Sequence, residues 1–127
     1  MGAVSPVRVQ RKRTKGWRAP MCSCGCGKPA RYVGRGTRFG SPFQVVKVGY
    51  LWGVLDGGIS CSAHPTRGAA VIDAVERYRR LLDRHPVPLG ALTGHDLMCW
   101  CPLEDAAGYR VPCHADVLLE LANGGVV

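Results

Sequence analysis

Two neighbouring stretches decide the fold: Thr93-Gly-His-Asp-Leu-Met-Cys-Trp-Cys-Pro102 and, after a polar loop, Val111-Pro-Cys-His-Ala-Asp-Val-Leu-Leu-Glu-Leu-Ala-Asn123. Residues 97–101 form a short apolar run stopped by Pro102, the pattern of a strand buried on both faces in a parallel sheet. Pro112 suits the first turn of a helix, and Val117, Leu118, Leu121 and Ala122 then recur at helical spacing until Asn123-Gly124-Gly125 offers a C-cap. Cys101 is thus expected to end a strand, and Cys113 and His114 to open a helix. Ligands of open α/β sheets sit at the carboxyl ends of strands, and a helix N-terminus lowers a thiol's pKa. Two thiols and an imidazole are expected to meet there, with Cys101, Cys113, His114 and Asp116 as the candidate catalytic group.

Size and charge bound the possibilities. A chain of 127 residues is read as one domain, able to bury about two-thirds of its unfolded surface without staples. No apolar stretch approaches the roughly 20 residues of a membrane span, and no apolar segment follows the basic residues near the start. The expectation is an unexported protein of the cytoplasm, without membrane attachment. Seven cysteines, an odd number in short spacings, fit metal ligation or thiol chemistry better than disulfides in a reducing compartment.

The net charge of +8 is unevenly placed: residues 1–40 hold ten of the 17 Lys and Arg and none of the nine acids. The segment 1–20 is a basic arm in which Arg11, Lys12, Arg13, Lys15 and Arg18 surround Trp17. Cations interleaved with an aromatic suit phosphate contact with base stacking, which points to nucleic acid or a nucleotide as partner. The plainer alternatives are a solvated arm and a Trp that plugs the core.

A second thiol cluster, Cys22-Ser-Cys-Gly-Cys-Gly-Lys-Pro-Ala-Arg31, lies in a turn-rich segment, and Cys61-Ser-Ala-His64 follows at a spacing that lets a tight turn aim both side chains at one ion. The text resembles zinc knuckles of phage proteins, with elements at 21–29 and 59–67. Cys22, Cys24, Cys26, Cys61 and His64 are therefore the candidate ligands of a structural Zn2+ ion, four of the five being needed. Between the halves, residues 31–43 carry a Gly-x-Gly turn on which Arg35, Thr37 and Arg38 could hold phosphate. Residues 44–55 read as a strand or hairpin closed at Asp56-Gly57-Gly58, its Tyr50 and Trp52 packing. Val71, Val75, Tyr78 and Leu82, widened by Ile72 and Leu81, make residues 69–84 the clearest helix, and Pro86 and Pro88 end it. Cys99 is read as a packed core thiol, with a second metal site on Cys99, Cys101, Cys113 and His114 as the alternative. His85 and His95 are read as loop residues without a role.

The blocks at 9–18, 32–43, 74–80, 97–102 and 112–123 together look like the domain-of-unknown-function family 4326, small proteins abundant in phages and actinobacteria. The resemblance runs over 7–123, and its paired Cys-Trp-Cys and Pro-Cys-His blocks make it specific. It implies that Arg35, Thr37, Arg38, Gly40, Pro42, Cys99, Cys101, Cys113, His114 and Asp116 fall on motif positions, and it brings no established activity. Ser41 stands where the family usually has Asn, and the loop 103–111 is longer than its counterpart often is. The Cys22 cluster, Cys61 and His64 lie outside the shared pattern, which implies a structural role.

The expected fold is α/β: a small, mostly parallel sheet from 7–10, 31–33, part of 44–55 and 97–101. Two helices near 69–84 and 113–122 cover it, with a zinc-knuckle-like insertion at one edge. The expected function is to bind or process a nucleotide, modified base or nucleic-acid end through a Cys/His/Arg pocket. Enzyme and binding protein both remain open, the alternative being a non-enzymatic, zinc-stabilised nucleic-acid-binding module.

Overall fold

A computed structural model describes residues 6–123. The Gly124-Gly125 end of the expected C-cap lies outside the described residues.

The strand read from residues 97–101 forms as β6 (Leu97–Cys99), and all three of its side chains are buried. Two short parallel strands flank it: β1 (Arg8–Gln10) on one side and β2 (Arg31–Tyr32) on the other, in the order β1-β6-β2. The register sets Arg8 and Arg31 both beside Leu97. This register has a consequence for function. Whatever precedes β2 and β6 in the chain meets at the amino end of the sheet, and whatever follows them meets at the carboxyl end.

The expected contribution of residues 44–55 to the parallel sheet is corrected. They belong to a separate antiparallel meander of β3 (Phe43–Val48), β4 (Leu51–Asp56) and β5 (Ile59–His64). Gly57 and Gly58, at φ 57° and 90°, supply the two positive-φ positions of the tight β4–β5 turn. A strand leaving a two-residue turn can only pair antiparallel with its predecessor, so the meander follows from the glycines. Tyr50, expected to pack, sits at the tip of the β3–β4 turn and is 99% exposed.

Helix α1 (Arg67–Arg84) starts at the Thr66 hydroxyl, which accepts from the Ala69 amide at 3.1 Å. Its fully buried positions are Ala70, Ala74, Tyr78 and Leu82, one residue round from the expected stripe in the first half. Small alanines let that half approach Val54 and the antiparallel sheet closely, while Val71 and Val75 are half-buried and Ile72 is exposed. The second half turns Tyr78 and Leu82 into the main core, with Val33, Leu97, Val117 and Leu118. Helix α2 (His114–Ala122) covers the parallel sheet, and Arg79 pairs with Glu120 to tie the two helices. Burying each large apolar side chain of this core contributes about 1.5–3 kcal/mol. No helix among the described residues is long and apolar enough to cross a membrane.

Candidate functional site

At the carboxyl end of the parallel sheet, β6 ends at Cys99, two residues short of the expected end at Cys101, which lies in the bend that follows, while the start of α2 delivers Cys113 and His114. The three sulfurs lie within 4.8 Å of one another, with Cys99 and Cys113 3.2 Å apart. Cys113 is the N-cap of α2: its sulfur accepts from the Ala115 amide at 3.5 Å, and its own amide donates to Asp116 at 2.9 Å in a capping box. The negative charge settles on Cys101. Hydrogen bonds from the Cys113 and Cys99 thiols, outweighing the cost of burial and helped by His114, hold Cys101 far below the ordinary thiol range. Facing that charge, Cys113 is pushed far up and Cys99 up to about 11. The surroundings of the three sulfurs thus favour the thiolate at Cys101 over one at Cys113, the helix N-cap.

His114 is fixed in one orientation. Its Nε2 lies 2.8 Å from the Val33 carbonyl, which can only accept, so Nε2 donates there and Nδ1 faces the Cys113 sulfur at 3.4 Å. Tyr78 packs edge-on against the imidazole at 5.4 Å and donates its hydroxyl to the Phe39 carbonyl at 2.6 Å.

Asp116, a candidate for acid/base or orienting work, takes the orienting position. Besides the Cys113 amide, its carboxylate receives Arg8 at 2.7 Å and Arg110 at 2.7 Å. Arg8 has a fully buried side chain and also donates to the Pro102 carbonyl at 3.0 Å. This clasp ties the residue after Cys101 to the start of α2, which makes Asp116 and Arg8 positioning residues.

Two cavities meet at Cys101 and His114 and share Ser41 and Phe43. One, of about 210 Å3, is walled by Val71, Val75 and Val111, with Arg67 at its edge. The other, of about 540 Å3, is open and lined by Arg13, Tyr32, Arg35 and Trp100. Neither has an acid in its lining among the described residues. On the open side, the Arg11 guanidinium lies 5.1 Å from the Tyr32 ring centre and 4.9 Å from that of Trp100, and Arg13 lies 4.7 Å from Trp100. Such cation–π stacks hold guanidiniums face-on to a ring and leave their N–H edges free for an anion.

Of the residues read for phosphate, Arg35 lines the open cavity and Arg38 is exposed outside it. Thr37 builds the turn: its hydroxyl donates to the Gly34 carbonyl at 2.8 Å and accepts from the Phe39 amide at 3.3 Å. The turn folds on itself so closely that a Cβ on Gly40 would fall 2.8 Å from the Gly34 carbonyl. The amides of Thr37 and Gly40 are also spent inside it, on the Gly34 and Thr37 carbonyls. In the basic arm, Lys12, Lys15 and Arg18 are exposed, and Trp17 is half-buried beside the turn at Thr14. The ring that carries the arginines is Trp100, not Trp17.

The thiols of Cys22, Cys24 and Cys26 gather at the opposite, amino end of the sheet, and the fourth donor beside them is His95. The expected pairing with Cys61 and His64 is corrected. Residues 59–64 are strand β5, where the Cys61 sulfur meets only its own strand's Ile59 carbonyl, and His64 binds Asp73 of α1 at 2.9 Å. Asp73 also accepts from the Ser62 hydroxyl at 2.5 Å and from Arg77 at 3.1 Å. These contacts, against the opposing pull of burial, take its pKa down to about 2.

A family described as domain of unknown function (DUF4326) matches residues 9–124. The chain belongs to this family. No curated protein and no solved structure matches it at a significant level. In this DUF4326 protein the matched span takes in both thiol clusters, each able to hold a metal ion by the distances among its donors.

The sequence reading missed His95, Trp100, Tyr32 and Arg8. A signal for His95 existed: it precedes β6 as the Cys22 loop precedes β2, and parallel neighbours bring such segments together. Arg8 carried none, since a single Arg in a half-buried strand pattern looks like any solvent-facing residue.

Proposed function

We propose that this DUF4326 protein binds a nucleotide or a nucleic-acid end at the carboxyl end of its parallel sheet and presents the Cys101 thiolate to it. One juxtaposition supports the reading: a sulfur held ionised, beside an imidazole whose Nδ1 faces the Cys113 sulfur, at the meeting point of two cavities edged by arginines and lacking acids. Arg13 and Arg35 meet phosphate, Trp100 and Tyr32 stack on a base, and the apolar cavity takes the group that reaches Cys101. His114 Nδ1 is the proton acceptor within reach. A reducing cytoplasm suits the protein, none of whose seven cysteines is in a disulfide, and a structural Zn2+ is its cofactor.

The test is alkylation of the purified protein by iodoacetamide across pH. Cys101 is expected to react well below the pH at which ordinary thiols do, and single-stranded oligonucleotide or nucleoside triphosphate is expected to slow it in a saturable way. Reaction of Cys101 only in the ordinary thiol range, or indifference to both ligands, overturns the proposal.

The arginine stack on Trp100 favours a second reading, binding without chemistry. Electrophoretic shifts at graded salt separate the two. If Cys101→Ser binds as the wild type does and no ligand changes in its presence, the protein is a binding module whose affinity falls steeply with salt.

A further inference from the structure

We infer that Cys22, Cys24, Cys26 and His95 bind one Zn2+ ion as a closed, four-coordinate structural site at the amino end of the parallel sheet. This names the ligands of the ion in the reading above and is independent of the Cys101 pocket.

The distances carry it. Zn–S bonds of ~2.3 Å and a Zn–N bond of ~2.0–2.1 Å at tetrahedral angles put the ligating nitrogen ~3.5–3.6 Å from each sulfur. His95 Nδ1 lies 3.6 Å from the Cys22 sulfur, 3.5 Å from that of Cys24 and 3.9 Å from that of Cys26. One nitrogen thus stands above a triangle of three sulfurs at the separations a shared ion would impose. The Cys22 and Cys24 sulfurs are 3.2 Å apart, against ~3.8 Å for tetrahedral thiolates, so binding would open that edge by about half an ångström.

The local chain is built to hold this shape. The Cys22 amide donates to the Lys28 carbonyl at 2.8 Å, and Met21 bridges to Pro29, which closes the loop at its base. Gly25 and Gly27, at φ 82° and 76°, curl the segment between so that alternate residues converge on one point. A buried carboxylate fixes the loop against the strand: Asp96 accepts from the Ser23 amide at 2.9 Å, the Ser23 hydroxyl at 2.7 Å and the Val7 amide at 2.9 Å. The Asp96 amide in turn donates to the Cys22 sulfur at 3.3 Å, an outer contact of the kind that orients a ligating thiolate. Three thiolates around Zn2+ leave one net negative charge, and Arg31 lies beside it with its guanidinium 3.4 Å from His95 Nε2. Cys24 and Cys26 are exposed, which gives the ion an entry path, whereas Cys99 and Cys113 of the other cluster are buried. A site with all four positions filled by soft protein donors stabilises a fold and leaves no place for substrate.

The experiment is elemental analysis of the purified full chain, paired with Co2+ substitution read by its visible spectrum. One zinc per chain is expected, with a Co2+ spectrum of tetrahedral sulfur-rich ligation. His95→Ala and Cys24→Ser should lose stoichiometric zinc, while His95→Cys, which restores a fourth soft donor, should keep it. Cys61→Ser, His64→Ala and Cys101→Ser should also keep it. The inference is overturned if the wild-type chain takes up no zinc, if His95→Ala and Cys24→Ser retain it, or if Cys101→Ser or Cys113→Ser removes it instead. Alkylation of Cys101 in the zinc-loaded protein reads the pocket proposal separately, so either reading can fail alone.

Discussion

The two ends of one three-stranded parallel sheet carry the same kind of side chain and use it in opposite ways. At the amino end, three cysteines of a glycine-rich loop and a histidine point at a single place, two of the sulfurs open to solvent. At the carboxyl end, three cysteines cluster between strand and helix, two of them buried, with one imidazole nitrogen 3.4 Å from the Cys113 sulfur and the other on a backbone carbonyl. A metal ion suits the first end, where four donors surround an accessible point. The second end has three thiols, of which the surroundings favour the thiolate at Cys101, and two cavities open beside that sulfur. The lesson is that spacing of cysteines alone does not separate ligation from reactivity. What separates them is whether a fourth donor converges and whether space for a substrate lies beside the sulfur.

The largest effect that can break the comparison is expected from Arg8→Ala. Its guanidinium is fully buried on Asp116 and Pro102, and removal takes away that packing and one of the two guanidiniums on a partly exposed carboxylate, so stability should fall by about 3 kcal/mol. Urea unfolding measures the loss. In the folded fraction zinc content should stay at the wild-type level, because the clasp touches only the carboxyl end; a parallel loss of zinc would show the two ends to be one unit.

Asp96→Ala is the counterpart at the other end. It removes the acceptor of the Val7 and Ser23 amides and of the Ser23 hydroxyl, at about 1 kcal/mol for each hydrogen bond lost, since Val7 and Ser23 are themselves exposed. It should also weaken retention of zinc against a competing chelator, while the alkylation rate of Cys101 stays unchanged. Faster or slower alkylation would refute the independence of the ends.

A third measurement uses the antiparallel sheet as a control region. The folded-state pKa of Asp73, lowered from 3.8 to about 2, means that its ionised form stabilises the fold. That contribution, about 2 kcal/mol, is present above pH 4 and is lost as pH falls from there through 2. Asp73→Asn should flatten the acid limb of a stability curve without altering zinc content, whereas loss of zinc in this variant would return His64 to the metal site.

The smallest expected effect sharpens the role of the aromatic wall. Trp100→Ala should weaken binding of a single-stranded oligonucleotide roughly tenfold, ~1.4 kcal/mol, by removing a stacking surface and the support of Arg11 and Arg13. Trp17→Ala is expected to leave it near the wild-type value, and equal losses in the two variants would place the contact along the basic arm instead.

Much of this was legible in the residues. The apolar run 97–101 and the pattern after Pro112 placed a buried parallel strand and a helix where β6 and α2 lie, because hydrophobic period and proline placement are local signals. The same local reading located Cys101, Cys113 and His114 at one strand–helix junction. It misjudged residues 59–64, since Cys-x-x-His reads equally as a turn that ligates and as a strand whose alternate side chains face opposite ways. Sequence by itself determined the strand before Pro102, the two helices and the glycine turn after β4, and which thiols stand next to one another along the chain. Only the tertiary structure decided that His95 meets the Cys22 loop, that Trp100 carries the arginines, and that Cys101 holds the charge. Each of those depends on the register of strands far apart in the chain, and register is fixed by packing and pairing that no short stretch contains.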